Sequence, residues 1–222
     1  MGKLRTALLA GMVVALGAMG SANAAPITGT FNISIYQGDG GGNINNPEEQ
    51  AQQGNPLITA GNLIASGTYT GAIDFNDGGQ NDIGAFLNSG GGVLSAGLSG
   101  LGGTTLSASG FGLTSVFVIT GDVGANILFG SISHDDGASL YDGPGYSNLV
   151  AGSPAPTVDI DTLYSNLTGQ FQLIYVEANS IPAVLTMDVT RTVTTPEPLS
   201  LSLFGAGLAG LGALRRRRRK AA

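Results

Sequence analysis

From Leu199 to Leu214 only Ser200 and Ser202 interrupt an apolar run. Pro196-Glu197-Pro198 stands before it, and Arg215, Arg216, Arg217, Arg218, Arg219 and Lys220 follow it. The two prolines remove two backbone donors and fix φ, so no helix runs through them. The residue ahead of each is pushed toward extended geometry, which makes Pro-Glu-Pro a stiff, strand-like segment that a protease can grip. Sixteen residues at a helical rise of about 1.5 Å span roughly 24 Å, less than the ~30 Å hydrocarbon core. Local thinning of the bilayer and snorkelling of the arginine side chains can make up the difference. The basic cluster belongs on the cytoplasmic side, which places everything before Pro196 outside. Gly205, Ala206, Ala209, Gly210 and Ala213 recur at four-residue spacing. They either permit close approach of a partner helix or simply fill a weak membrane segment.

The other end of the chain agrees with export. Lys3 and Arg5 precede the apolar stretch Ala7 to Met19, and Ala22-Asn23-Ala24 follows. A charged start, a short apolar region and an A-x-A site predict a secretory signal peptide over residues 1–24, cut after Ala24 by signal peptidase. The apolar region is too short to read as a membrane span. Residues 25–193 then form one exported domain and 194–222 the tail, with a helix over 199–214 and a basic stop over 215–220. The chain has no cysteine, so no disulfide framework holds this domain in an oxidising destination. Fourteen acids stand against the single Arg191 in the exported part, a net charge of about −13. Such a balance excludes nucleic acid as a partner, because phosphates need Lys and Arg.

The tail resembles the PEP-CTERM sorting signal of bacteria that export polysaccharide. The residues that carry the likeness are Pro196-Glu197-Pro198, Leu201, Phe204, Gly207-Leu208-Ala209-Gly210-Leu211-Gly212 and the arginine run, about an eighth of the chain. The resemblance implies that Pro196, Glu197 and Pro198 are read by exosortase, a membrane-embedded cysteine transpeptidase-like enzyme that cuts near the motif and passes the protein outward. The chain would dwell transiently in the inner membrane, its C-terminus cytoplasmic before processing, and end at the cell surface or in the extracellular matrix. A plain single-pass C-terminal anchor is the alternative.

The exported segment is rich in Gly, Ser, Thr, Asn and Val and poor in Lys and Glu, a composition of short strands and tight turns. Phe31, Ile33 and Ile35 alternate with Asn32 and Ser34 in a run from Thr28 to Tyr36. Gln37 to Asn55 is long for a connection within a domain. Tyr69, Ile73 and Phe75 share one face of a strand over Gly67 to Phe75, and Asn76-Asp77-Gly78-Gly79 is turn chemistry. Asp82 to Asn88 reads equally as a helical turn or a strand. Gly90 to Gly103 lacks the context of a phosphate-binding loop. Thr114 to Thr120 and Ala125 to Ser133 predict two central strands. Tyr146 to Asp161 predicts a loop, and Gly169 to Glu177 and Val184 to Val193 two closing strands. About ten short strands with turns every 8–12 residues predict an all-β fold, an antiparallel sandwich or jelly-roll-like barrel.

Ser131 to Gly143 is the most distinctive stretch of the exported part, and its Asp-Gly pair predicts a hairpin with a tight acidic turn. Asp135-Asp136-Gly137, Leu140-Tyr141, Phe171 to Glu177 and Ala183 to Val189 resemble the protective-antigen/flocculin-type carbohydrate-associated β-barrel domain over residues 112–190. The likeness implies that Asp135 and Asp136, joined by a cis peptide, hold a Ca²⁺ that a sugar's hydroxyls also coordinate. Ca²⁺ takes six to eight oxygens, and Asp142, Asn148, Asp159 and Asp161 lie in nearby loops as further candidates. An acidic turn with no ion is the alternative.

His134, the only histidine, has no spacing to a nucleophile and an orienting acid, and neither cysteine nor a second histidine completes a zinc site. Tyr141, Tyr146 and Tyr164 are candidates to stack on sugars or to pack the core. The expected function is that of a non-enzymatic surface or matrix protein contributing to adhesion and exopolysaccharide-biofilm structure. A calcium-dependent carbohydrate-binding module is the first alternative. A secreted hydrolase using paired carboxylates is the second, and no spacing among the acids singles out such a pair.

Overall fold

The structure is a computed structural model that describes residues 24–156 and 158–194. Ala22, the motif Pro196, Glu197, Pro198 and the run Arg215 to Lys220 lie outside the described residues, as does the expected helix over 199–214. Among the described residues no helix is long and apolar enough to cross a membrane.

Among the described residues are ten strands, one α-helix and two short 3-10 turns (Pro47–Glu49 and Pro144–Tyr146): β1 (Ala25–Pro26), β2 (Thr28–Gly38), β3 (Leu63–Ala72), β4 (Asp74–Asn76), α1 (Ile83–Ser89), β5 (Val93–Leu94), β6 (Thr114–Asp135), β7 (Gly137–Asp142), β8 (Asn148–Ser153), β9 (Ile160–Glu177) and β10 (Val184–Thr194). All pairings are antiparallel, in the order β5-β3-β2-β6-β9-β7-β8, with β10 against β6 and β1 and β4 against β10. The all-β antiparallel expectation therefore holds.

The expected pair of central strands is one strand of 22 residues. Its first half, Ser115 to Asp122, lies between β2 and the end of β9, and its second half lies between β10 and the start of β9. Between them the register jumps from Asp122 to Ile127, with Gly124 at φ +61°. Gly121-Asp122-Val123-Gly124 has turn composition, but here it is a bulge that bends a continuous strand. A side chain at Gly121 would lie 2.7 Å from the Phe171 ring and 2.8 Å from Phe31, whose rings sit 6.1 Å apart.

The chain passes between the two halves at Ile27 and Ile73. The Ile27 amide donates to Met187 O (2.7 Å), the Ile73 amide to Ile27 O (2.9 Å) and the Met187 amide to Ile73 O (3.0 Å). Alternation puts Phe31, Ile33, Ile35, Tyr69, Phe75, Phe117, Leu185 and Met187 into one buried cluster drawn from both halves, as a sandwich requires.

The ambiguous segment after Asp82 is helical. The Asp82 carboxylate accepts from the Ala85 amide at 2.7 Å, an N-cap that satisfies a donor the first turn leaves open. The helix drives Phe86 between Phe75, Phe117 and Tyr175, stacking on Tyr175 at 5.6 Å and 12°. Gly84 allows the approach, since a Cβ there would lie 2.6 Å from the Gly102 amide nitrogen.

Two further expectations are corrected. Tyr146 to Asp161 is not a loop throughout, because β8 occupies Asn148–Ser153 and pairs with β7. Asp135-Asp136-Gly137 is not a hairpin turn either: β7 pairs with β8 and β9, not with β6. Gly137 serves close packing, not turning, for a Cβ there would fall 2.2 Å from Pro154 O.

Candidate functional site

The corner between β6 and β7 sets Asp135 and Asp136 at the floor of a cleft of about 330 Å³. Four further segments close it: Ile44 from the long β2–β3 connection, Phe111 ahead of β6, Pro156 and Val158 ahead of β9, and Asn179 to Pro182 between β9 and β10. The two aspartates are only 8% and 6% exposed, whereas Val158, Ile181 and Ile44 are 75%, 46% and 40% exposed around the mouth. The site is thus an acidic floor under an apolar rim.

The Asp135–Asp136 peptide is cis, as the resemblance to the carbohydrate-associated barrel implies. Asp136 Oδ2 accepts from the amides of Ala178 (2.9 Å) and Asn179 (3.2 Å), which ties the β9–β10 loop to the corner. Burial pushes the Asp135 carboxyl up to about 7, reinforced by the charges of Asp136 and Asp159 and opposed by a hydrogen bond from the Asp159 backbone. Asn179 Oδ1 accepts from the Gly110 amide at 2.9 Å, joining the loop that carries Phe111 to the β9–β10 loop.

Behind the floor lies a second acid. Glu177 is fully buried, and burial followed by the charge of Asp136 raises it to about 9. The Ser107 hydroxyl donates to its Oε1 at 2.9 Å. The Tyr175 hydroxyl reaches both Glu177 Oε2 (3.0 Å) and the Asp135 carbonyl oxygen. Ser107 is itself fixed by a reciprocal pair with Asn81 and accepts from the Ser180 amide at 2.7 Å. Glu49, also fully buried, accepts from Thr114 Oγ1 at 2.8 Å, and its Oε1 has no partner. Burial, and after it the nearby acids led by Asp136, raises Glu49 to about 7 against the opposing Thr114 hydrogen bond.

His134 is buried with Nδ1 against Asp136 O and Nε2 2.8 Å from Thr162 Oγ1. A carbonyl only accepts, so Nδ1 carries the hydrogen and Nε2 accepts from the threonine hydroxyl. Burial lowers its pKa, and the neutral ring is structural, not a base turned toward the cleft.

Among the sequence-derived oxygen candidates, Asp159 lies beside Asp135. Asp142 does not, being at the far end of β7, five residues beyond Gly137 and so roughly 17 Å away at ~3.3 Å per residue. There it accepts from Asn148 Nδ2 (2.6 Å), the Thr168 amide (3.0 Å) and Thr168 Oγ1 (3.1 Å), a structural bracket that also occupies Asn148. Asp161 is bonded to the Ser133 hydroxyl on the neighbouring strand. Among the described residues no three acids or histidines come together in metal-binding geometry. None of the three tyrosines considered as sugar platforms lines the cleft. Tyr164 is buried, its hydroxyl donating to Asp188 O at 2.9 Å.

Phe111, Asn179, Glu49, Glu177 and Tyr175 were not foreseen. Glu177 carried a readable signal: it shares the period-2 face of Phe171, Leu173 and Tyr175, all buried, so the strand pattern alone places it in the core. Phe111 and Asn179 come to the same cleft from positions 68 residues apart, and nothing local marks either. No protein-family model matches the chain, and no curated protein matches it.

Proposed function

We propose that this chain is an exported, non-enzymatic surface or matrix protein, processed by exosortase at its tail, whose β-domain contacts exopolysaccharide through the Asp135–Asp136 cleft. The order of Pro196-Glu197-Pro198, the apolar run and Arg215 to Lys220 carries the sorting part of this reading. Signal peptidase removes residues 1–24, the helix over 199–214 holds the chain briefly in the inner membrane, and the sandwich or jelly-roll-like domain of residues 25–193 is delivered outside. A cleft that is concave, rimmed by apolar side chains and floored by a few polar groups supports ligand contact at the corner of β6 and β7. Replacing Pro196-Glu197-Pro198 by three alanines tests the sorting: the variant should stay uncut in the inner membrane, and normal-sized protein at the surface would refute the motif.

A second reading, a calcium-dependent carbohydrate-binding module, is favoured by the two adjacent carboxyls in the cleft floor. Asp135 and Asp136 would hold the ion, whose charge would offset theirs and orient sugar hydroxyls. The donor set fits incompletely. One Asp136 oxygen already accepts two amides, Asn179 Oδ1 is engaged by Gly110, and Asp142 and Asn148 are elsewhere, far short of six to eight oxygens. Under this reading millimolar Ca²⁺ raises the melting temperature by mass action, and an unchanged melting temperature with a blank glycan array sinks it.

A further inference from the structure

β2 runs beside β6 only over Asn32 to Gly38, which face Thr120 back to Thr114. Ahead of Asn32 the two strands separate, because β6 bends away through its bulge between Asp122 and Ile127. The gap is a pocket of about 190 Å³ that shares no lining residue with the Asp135–Asp136 cleft. Its base is apolar, formed by the buried side chains of Phe31, Val123 and Leu128. Its lip is polar and comes from Thr28, Thr30, Asp122 and Asn126.

The donors of this lip are largely engaged within the domain. Asn126 Nδ2 donates to Val123 O at 3.0 Å, the Thr28 hydroxyl donates to Pro26 O at 3.3 Å, and the Thr30 and Thr70 hydroxyls share a hydrogen bond of 2.9 Å. Asp122 Oδ1 accepts from the Gly124 amide at 2.7 Å, which leaves Asp122 Oδ2 and Asn126 Oδ1 as acceptors. The pocket is therefore suited to a ligand that brings donors. No Lys, Arg or His lines it to meet an anion, and a domain of net charge about −13 repels one. One carboxylate with an oxygen already engaged is far from the six to eight oxygens that Ca²⁺ takes. A wholly apolar ligand would cover the polar lip without partners for it. A sugar answers both surfaces, with hydroxyls for the two oxygens and C–H groups for the apolar base.

The surface beside the pocket extends that sugar into a chain. Phe31 and Ile33 are buried, so alternation puts Thr30 and Asn32 on the outer face of β2. Thr30 lies opposite Thr70, and Asn32 stands in one cross-strand row with Thr68 of β3, Thr120 of β6 and Gln172 of β9. All six are uncharged and exposed or half-buried. At ~4.8 Å per strand the four-residue row spans roughly 14 Å. An extended chain of sugar rings laid across these strands meets a hydroxyl or an amide at each step. We infer that the pocket at the β6 bulge, with the adjoining face of Thr30, Asn32 and Thr120, binds an extended, neutral, β-linked polysaccharide without a metal. This site goes beyond the Asp135–Asp136 cleft and does not depend on it.

The test is calorimetric titration of the cell-surface form of the protein with cellohexaose and with β-1,4-mannohexaose, both in a chelator of divalent cations. The expected result is binding of at least one hexamer, at least fivefold tighter than its disaccharide and insensitive to added salt. Asp122→Asn keeps an oxygen for the Gly124 amide and replaces the free acceptor by a donor, so it should weaken binding at least fivefold. Asn32→Ala, on the exposed face of β2, should weaken the hexamer several-fold at an unchanged melting temperature. Binding of neither hexamer overturns the inference, as does tighter binding of a galacturonate hexamer or a glucosamine hexamer. Self-association of the protein that both variants abolish would assign this face to a second copy and overturn it too. Binding that requires Ca²⁺, or that is lost with Asp135→Asn and kept with Asp122→Asn, belongs to the cleft: it overturns this site and leaves the cleft reading standing.

Discussion

The Tyr175 hydroxyl stands within hydrogen-bonding reach of both the Asp135 carbonyl oxygen and Glu177 Oε2, and it has one hydrogen to donate. A carbonyl cannot donate in return, so the pair of contacts is satisfied when Tyr175 donates to Asp135 and a protonated Glu177 donates to Tyr175. The elevation of Glu177 to about 9 by burial and by Asp136 agrees with that proton count. The cleft floor thus rests on a neutral buried acid, itself anchored through Ser107 to the Asn81 loop.

This arrangement sets the direction of pH dependence. An unfolded glutamate titrates near 4.3, whereas Glu177 does so at about 9 and Glu49 at about 7. The native state holds these protons more tightly, so their contribution to stability is complete below about pH 4 and declines as pH rises toward the native values. The urea midpoint should fall between pH 5 and pH 9. Glu177→Gln, which keeps a donor for Tyr175 and an acceptor for Ser107, should flatten that fall more than Glu49→Gln. A midpoint that rises over the same range would contradict the assignment.

Phe86 of α1 packs against aromatic rings from β4, β6 and β9. Phe86→Ala should cost about 3–5 kcal/mol by denaturant unfolding, the range for emptying a large aromatic site in a core that relaxes only in part.

Gly130 faces the backbone of the neighbouring strand, where an added Cβ would lie 1.8 Å from Asp188 O and 2.7 Å from the Tyr164 hydroxyl oxygen. Gly130→Ala should therefore destabilise by about 1–3 kcal/mol or more, although alanine ordinarily suits a strand better than glycine. A thermal melt within a degree of the parent would refute the packing described for β6 against β10.

Asp142 separates structural from ligand-binding acids. Removing its carboxylate leaves the Thr168 amide and hydroxyl and the Asn148 amide without their acceptor. Asp142→Ala should cost about 1–3 kcal/mol. It should leave glycan titrations unchanged, because the residue is roughly 17 Å from the cleft. Reduced glycan affinity at an intact fold would mean that the site has been drawn in the wrong place.

Local patterning made some of this molecule readable and left other parts closed. Tyr69, Ile73 and Phe75 fall on the buried face that their alternation indicates, and Phe31, Ile33 and Ile35 do the same. Gly121 to Gly124 misleads because glycine and aspartate suit both a turn and a bulge, and only the pairing of β6 with β9 on both sides distinguishes them. The Asp-Gly pair at 136–137 misleads for a related reason: its glycine answers to Pro154, a neighbour brought in by β8, not to the geometry of a hairpin. Asp135 and Asp136 stood out in the sequence and do line the cleft, yet the rim from Ile44, Phe111, Val158 and Ile181 comes from four loops with no common pattern. Periodicity informs about faces, and it is silent on which loops converge.

Intact-mass measurement of the cell-surface form tests the central claim most directly, since it reads both processing sites in one spectrum. The account predicts a chain that begins at Ala25 and ends close to Pro196-Glu197-Pro198, without the apolar run and without Arg215 to Lys220. A surface form whose mass still includes the arginine cluster would contradict exosortase processing and leave a permanent C-terminal anchor in its place.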